Sequence, residues 1–178
     1  MKRLSLWLVV VFLMLSAVAC ATPKIELPDR DVPISEEAAQ RFESKLAQLQ
    51  DTSNGDVKMT FTEEEVTSYV NLRLLEDDLP IQKPTIWFSE GKVYLKGHVE
   101  GEGLPVSGDA VLVVALTVHD GVLQVRVEKA VIGRFPVPDS VLDKLTHMTN
   151  ERIKAEIGPI RIKELQILEG EAILVLSR

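Results

Sequence analysis

Residues 108–132 read GDAVLVVALTVHDGVLQVRVEKAVI, and their pattern decides the fold class. Ala110, Leu112, Val114, Leu116 and Val118 recur at every second position, the period that places side chains on one face of a β-strand. His119-Asp120-Gly121 supplies a tight turn, because Asp-Gly accepts the positive φ angles of a two-residue hairpin loop. Leu123, Val125 and Val127 then alternate with Gln124, Arg126 and Glu128. The stretch predicts an antiparallel hairpin. Its first strand breaks clean alternation, since Val111, Val113 and Ala115 are apolar too. A strand wet on one side would alternate, so the second face must be covered by a helix, another chain or a bound lipid.

Upstream, Ile86 and Phe88 lead through Ser89-Glu90-Gly91 into Val93, Leu95, Gly97 and Val99, a second hairpin. Before it lie two predicted helices. Ser35-Glu36-Glu37 opens the first, with apolar residues at Ala38, Ala39, Phe42, Leu46 and Leu49. Thr62-Glu63-Glu64-Glu65 is a capping box opening the second, which buries Val66, Tyr69, Val70 and either the stem of Arg73 or Leu74. Val57, Met59 and Phe61 alternate between them as a short strand. Downstream, Ile132 to Pro138 stops the sheet and Asp139-Ser140 starts the longest helix, ended by Gly158-Pro159. Two strands close the chain, over about 160–168 and 172–176. The order α-β-α-ββββ-α-ββ predicts one α+β domain over residues 35–178.

The N-terminus reads differently. Lys2 and Arg3 precede an apolar run from Leu4 to Val18, the layout of an export signal over residues 1–19. Ala17-Val18-Ala19 fits ordinary signal cleavage, and the same residues before Cys20 resemble a bacterial lipobox. Cys20 is the only cysteine. In an oxidising compartment it has no intramolecular partner, and acylation would remove that problem. Acylated Cys20 would hold the protein on the outer face of the cytoplasmic membrane, or on an outer membrane where one exists. Residues 20–34, rich in proline, then predict an extended tether of about 40 Å at about 3.1 Å per residue. The chain carries a formal charge of −7, and −9 from Cys20 on, because Lys2 and Arg3 are the only charges before it. Such a chain is a poor ligand for nucleic acid.

Little else carries chemistry. The three histidines, His98, His119 and His147, lack metal-ligand spacing. The acidic runs at 63–65 and 76–78 lack the alternating oxygen ligands of a calcium loop. No G-x-S-x-G elbow or phosphate loop is present. The sequence therefore predicts a protein without catalytic residues, metal or cofactor.

A capped T-E-E-E-V helix, an E-G hairpin into V-Y-L-K-G, a D-G hairpin and I-G-R-F-P-V-P before a long helix occur here in that order. From about Val57 to Arg178 the chain resembles YpmS-like proteins and the actinobacterial envelope proteins linked to lipomannan synthesis, of the TULIP (tubular, BPI-like) lipid-binding superfamily. The resemblance implies a curved antiparallel sheet wrapped around the long helix, with a lipid-binding seam between them. The expected lining is Leu112, Val114, Leu116, Leu123, Val125 and Val127 from the sheet, faced by Leu142, Leu145 and Ile153 from the helix. The expected function is a lipid-anchored envelope protein that binds a lipid or other amphipath. The alternative is a module that docks on another envelope protein.

Overall fold

The computed structural model describes residues 25–51, 56–75, 81–100, 107–157 and 161–177. The signal at 1–19, Cys20, the acidic run at 76–78 and the stop at Gly158-Pro159 lie outside the described residues. Helix α1 spans Glu36–Asp51, strand β1 Val57–Thr62, and helix α2 Glu63–Tyr69, extended by a π-helical turn at Val70–Leu74. Strands β2 (Ile81–Ser89), β3 (Lys92–Val99), β4 (Gly108–His119), β5 (Val122–Ile132) and the two-residue β6 (Phe135–Pro136) follow. Helix α3 (Asp139–Ile157) and strands β7 (Arg161–Ile167) and β8 (Glu171–Ser177) complete the chain.

The protein is α+β and its strand pairs are antiparallel, but the strands form two sheets rather than one. β2-β3-β4-β5-β6 make a five-stranded sheet and β1-β8-β7 a three-stranded one. The sequence showed the β7–β8 hairpin but gave no sign that β8 would pair with distant β1, Val57 opposite Leu176. Both long hairpins turn as expected. Glu90-Gly91 and Asp120-Gly121 hold positive φ at both central positions, matching the right-handed twist of the flanking strands.

An open sheet exposes unpaired backbone at its edges, and here two helices close them with side chains. Along β2, the helix residues at spacing four address alternate strand residues. Phe88 N–H donates to Glu63 Oε1 at 2.5 Å. Ile86 N–H donates to Thr67 Oγ1 at 3.0 Å, and Asn71 Nδ2 donates to the Pro84 carbonyl at 2.7 Å. Along β5 the device recurs. Val127 N–H donates to Thr146 Oγ1 at 3.0 Å. Val125 N–H donates to Asn150 Oδ1 at 2.8 Å, and Asn150 Nδ2 donates to the Val125 carbonyl at 2.7 Å. TSYVN at 67–71 and THMTN at 146–150 thus share the spacing T-x-x-x-N and one task. In each, the asparagine also donates to the carbonyl of its own threonine, at 2.8 Å and 2.9 Å.

This arrangement adds to the reading of α2. Val66 and Val70 pack at the β2 margin and Tyr69 packs on Phe42, but the fully buried residues are Thr67 and Ser68, and Leu74 is 49% exposed. Ser68 Oγ accepts the Ser35 N–H at 3.0 Å, docking the start of α1, and Ser35 Oγ caps α1 through the Ala38 N–H. The Thr62–Glu65 capping box forms as read. Glu65, however, is more than a helix-end charge. It is 2% exposed and takes Lys45 Nζ at 2.6 Å. Burial pushes its carboxyl up, but Lys45, the Thr62 N–H and Arg41 outweigh that and hold it below the usual range.

The two asparagines make unequal contributions. Pro84 has no N–H, so Asn71 can serve only its carbonyl, whereas Asn150 serves both backbone groups of Val125. Asn150→Ala strands two groups and is expected to destabilise by about 2 kcal/mol, and Asn71→Ala by about 1 kcal/mol. Urea unfolding that ranks Asn71→Ala as the more damaging change would contradict this account of the edges.

Candidate functional site

The inner face of the five-stranded sheet is apolar from edge to edge. Register places Phe88 opposite Val93, Val93 opposite Val114, and Val114 opposite Val127. A second row runs Ile86, Leu95, Leu112, Ala130. The two margins of this face are covered. At β2, Ile86 and Phe88 pack with Ala172 and Ile167 of the smaller sheet and with Val66 and Val70 of α2. At β5, Val127 and Ala130 pack with Leu142 of α3 and with Val137. Between the margins, Val93, Leu95, Leu112, Val114 and Leu116 are only half-buried. The result is an apolar strip about two strands, or roughly 10 Å, wide, with β7 meeting its β4–β5 end, where the Ile162 N–H donates to the Gly121 carbonyl at 2.8 Å.

The expected lining residues fall into three groups. Leu112, Val114, Leu116, Leu123, Val125 and Val127 do share one face, with Leu116 opposite Val125 and Leu123 opposite Val118. Leu142 is buried against them and Ile153 is half-buried. Leu145 stands apart. It is 38% exposed and shares a stripe at spacing i, i+4, i+7 with Val141 and Met148, also exposed. The floor residues Val93 and Leu95 were legible as a strand face but were not assigned to the site.

The outer face answers the question raised by Val111, Val113 and Ala115. Trp87, Tyr94 and Val113 form a buried cluster there, covered by Ile25, Leu27 and Val32. The cover is the segment expected to be a free tether. From Ile25 on it is a strap laid on the sheet. Its apolar residues Ile25, Leu27 and Val32, scattered among prolines and charges, have no helical or strand period, so pattern reading missed them.

One arginine pins the strap. Arg30 Nη2 donates to Glu63 Oε1 at 2.5 Å and to the Phe88 carbonyl at 2.8 Å, and Nη1 pairs with Glu169. The Trp87 indole N–H donates to the Arg30 carbonyl at 2.9 Å. Glu63 is 6% exposed, so Arg30 neutralises a buried carboxylate and is itself driven further toward the charged form. Ser89 and then Arg30 hold the Glu169 carboxyl below its usual range. Beside the strap lies a cleft of about 570 Å³, lined by Lys92, Tyr94 and Lys129 on the sheet and Glu26 and Asp29 on the strap.

Among the described residues, no grouping of histidine, cysteine and carboxylates could hold a metal ion. His98 Nδ1 lies 3.1 Å from Asp109 and His119 Nε2 lies 3.3 Å from Asp120, both exposed pairs, and His147 is exposed on α3. Among the described residues no helix is long and apolar enough to cross a membrane. The chain matches no family model and no curated protein.

Trp87 reports on the strap in a chain that starts at Cys20, because Trp7 is the only other tryptophan. Arg30→Ala strands Glu63 and is expected to shift Trp87 emission to the red and to lower stability by about 2 kcal/mol. That is less than a fully buried pair would lose, since Arg30 is 31% exposed. Acid acts in the same direction. The depressed Glu169 carboxyl stabilises the docked strap above its unfolded-state pKa, and that stability is lost as pH falls through the folded value. Trp87 emission of a chain starting at Cys20 is therefore expected to hold steady from neutrality to about pH 5 and shift below about pH 4. A shift centred near neutrality would refute the assignment.

Proposed function

We propose that this protein is a lipid-anchored envelope lipoprotein, without enzymatic activity, that holds a lipid or other amphipath on the apolar strip of the inner face of its larger sheet. The observation that carries the reading is the half-buried strip from Val93 to Leu116 between two covered margins. Apolar surface left half-buried gains roughly 25 cal/mol for each Å² that a ligand removes from water. The acidic balance of the chain favours an uncharged or apolar contact over an electrostatic one. On this reading the chain is a TULIP-like relative, with α3 and the larger sheet as the two sides of the seam. Cys20 carries the acyl chains that hold it at the membrane.

The Val141, Leu145 and Met148 stripe supports a second reading, a docking face for another envelope protein. The two make different predictions. Native mass spectrometry of the mature protein, gently extracted and offered membrane lipids, is expected to show a stoichiometric lipid adduct. Leu116→Arg, a change at a half-buried position, is expected to remove the adduct while the protein stays folded. No adduct from any lipid class, with Val141→Ser/Leu145→Ser/Met148→Ser abolishing recovery of one crosslinked protein, would overturn the first reading in favour of the second.

A further inference from the structure

The strap changes where the domain sits. A free tether over residues 20–34 would let the domain stand about 40 Å off the bilayer in any orientation. Instead Ile25 and Leu27 are packed on Trp87, Tyr94 and Val113, and Arg30 is bound to Glu63 and Phe88. Only residues 21–24 separate Cys20 from Ile25. Five Cα steps reach at most about 18 Å when fully extended. A domain of this length is roughly 40 Å across. The leash is thus shorter than the domain it holds, so its far end, on the outer face of the sheet, lies within about 18 Å of the anchor.

We propose that the outer face of the five-stranded sheet, with the strap lying on it, rests on the headgroups of the bilayer that holds Cys20. This rests on the reading of Cys20 as the acylated residue. The chemistry of the face suits hydrated headgroups rather than insertion. Its exposed side chains include Lys96, Thr117, Gln124, Arg126 and Lys129. Lys92 is paired with Glu128 at 2.7 Å and Lys96 approaches Asp109 at 3.9 Å. The strap adds Glu26, Asp29 and Asp31, so the face is mixed in charge and reach sets the contact. The apolar strip occupies the opposite face of the same sheet. It therefore faces away from the membrane, and its occupant is presented to the space beyond the bilayer surface.

The full chain, expressed in a bacterium that acylates it and reconstituted in phosphatidylcholine–phosphatidylglycerol vesicles, provides the test. Acylated Cys20 has no thiol, so a cysteine introduced as Thr117→Cys or Arg126→Cys on the outer face is the only one available for a fluorophore. Gln166→Cys and Lys58→Cys, exposed on the smaller sheet, serve as the distant positions. Nitroxide-headgroup lipids are expected to quench the outer-face labels several-fold more than the distant ones, with little change on raising the salt concentration. A long Gly/Ser insertion after Ala21 is expected to erase the difference. Uniform quenching of an acylated protein would overturn the orientation alone. An intact mass lacking the diacylglyceryl group on Cys20 would overturn both the anchor and the orientation.

Discussion

The buried carboxylate of Glu63 is the constraint on which the rest of the structure depends. It accepts the Phe88 N–H and the Arg30 guanidinium, and its backbone N–H donates to the Gly170 carbonyl at 3.1 Å. Gly170 N–H in turn donates to the Phe88 carbonyl at 2.9 Å, the group that Arg30 also contacts. Four segments distant in sequence therefore meet at one point: the strap, the start of α2, the end of β2 and the β7–β8 turn. A charge taken out of water needs all of its partners in place at once. That requirement couples the strap to both sheets.

The helices do two jobs with different residues. Polar side chains at spacing four close the sheet edges, and apolar ones beside them pack on the inner face of the sheet. On α2 the edge is served by Glu63, Thr67 and Asn71, and the inner face by Val66 and Val70. On α3 Thr146 and Asn150 serve the edge, and Leu142 the inner face. The two functions cannot be separated by moving a helix. A shift wide enough to uncover the apolar margin would break the edge bonds on that side, so how much of the inner face each helix covers is set by polar contacts at the rim.

The sequence was informative where period and turn chemistry agree. The two hairpins, the capping box at Thr62 and the starts of α1 and α3 could all be read from local pattern, because each depends on residues a few positions apart. The shared face of Leu112, Val114, Leu116, Val125 and Val127 followed from the same periodicity. What escaped was long-range. The pairing of β1 with β8 joins residues more than a hundred positions apart and leaves no local mark. The strap escaped because its three apolar residues pack individually. Thr67, Asn71, Thr146 and Asn150 escaped because hydropathy assigns polar helix residues to solvent, whereas here their partners are strand backbone groups. Leu145 lies on an exposed stripe beside Leu142 because a 3.6-residue period fixes a face only to within one position on either side.

Matching a helix to a strand has an arithmetic limit. Four helical residues rise about 6.0 Å, while two strand residues advance about 6.7 Å. Each successive rung falls behind by roughly 0.7 Å, so a straight helix can serve only two or three before the atoms lose register. On α2 the first rung uses the long, adjustable glutamate and the last meets Pro84, where a single bond suffices. On α3 only two rungs are made. The mismatch thus gives the protein a built-in ruler: side chains from a straight helix protect about five residues of an edge strand, as from Pro84 to Phe88, and the rest of a longer strand needs a curved helix or a true neighbouring strand, as β6 provides for Val131 and Ile132 of β5.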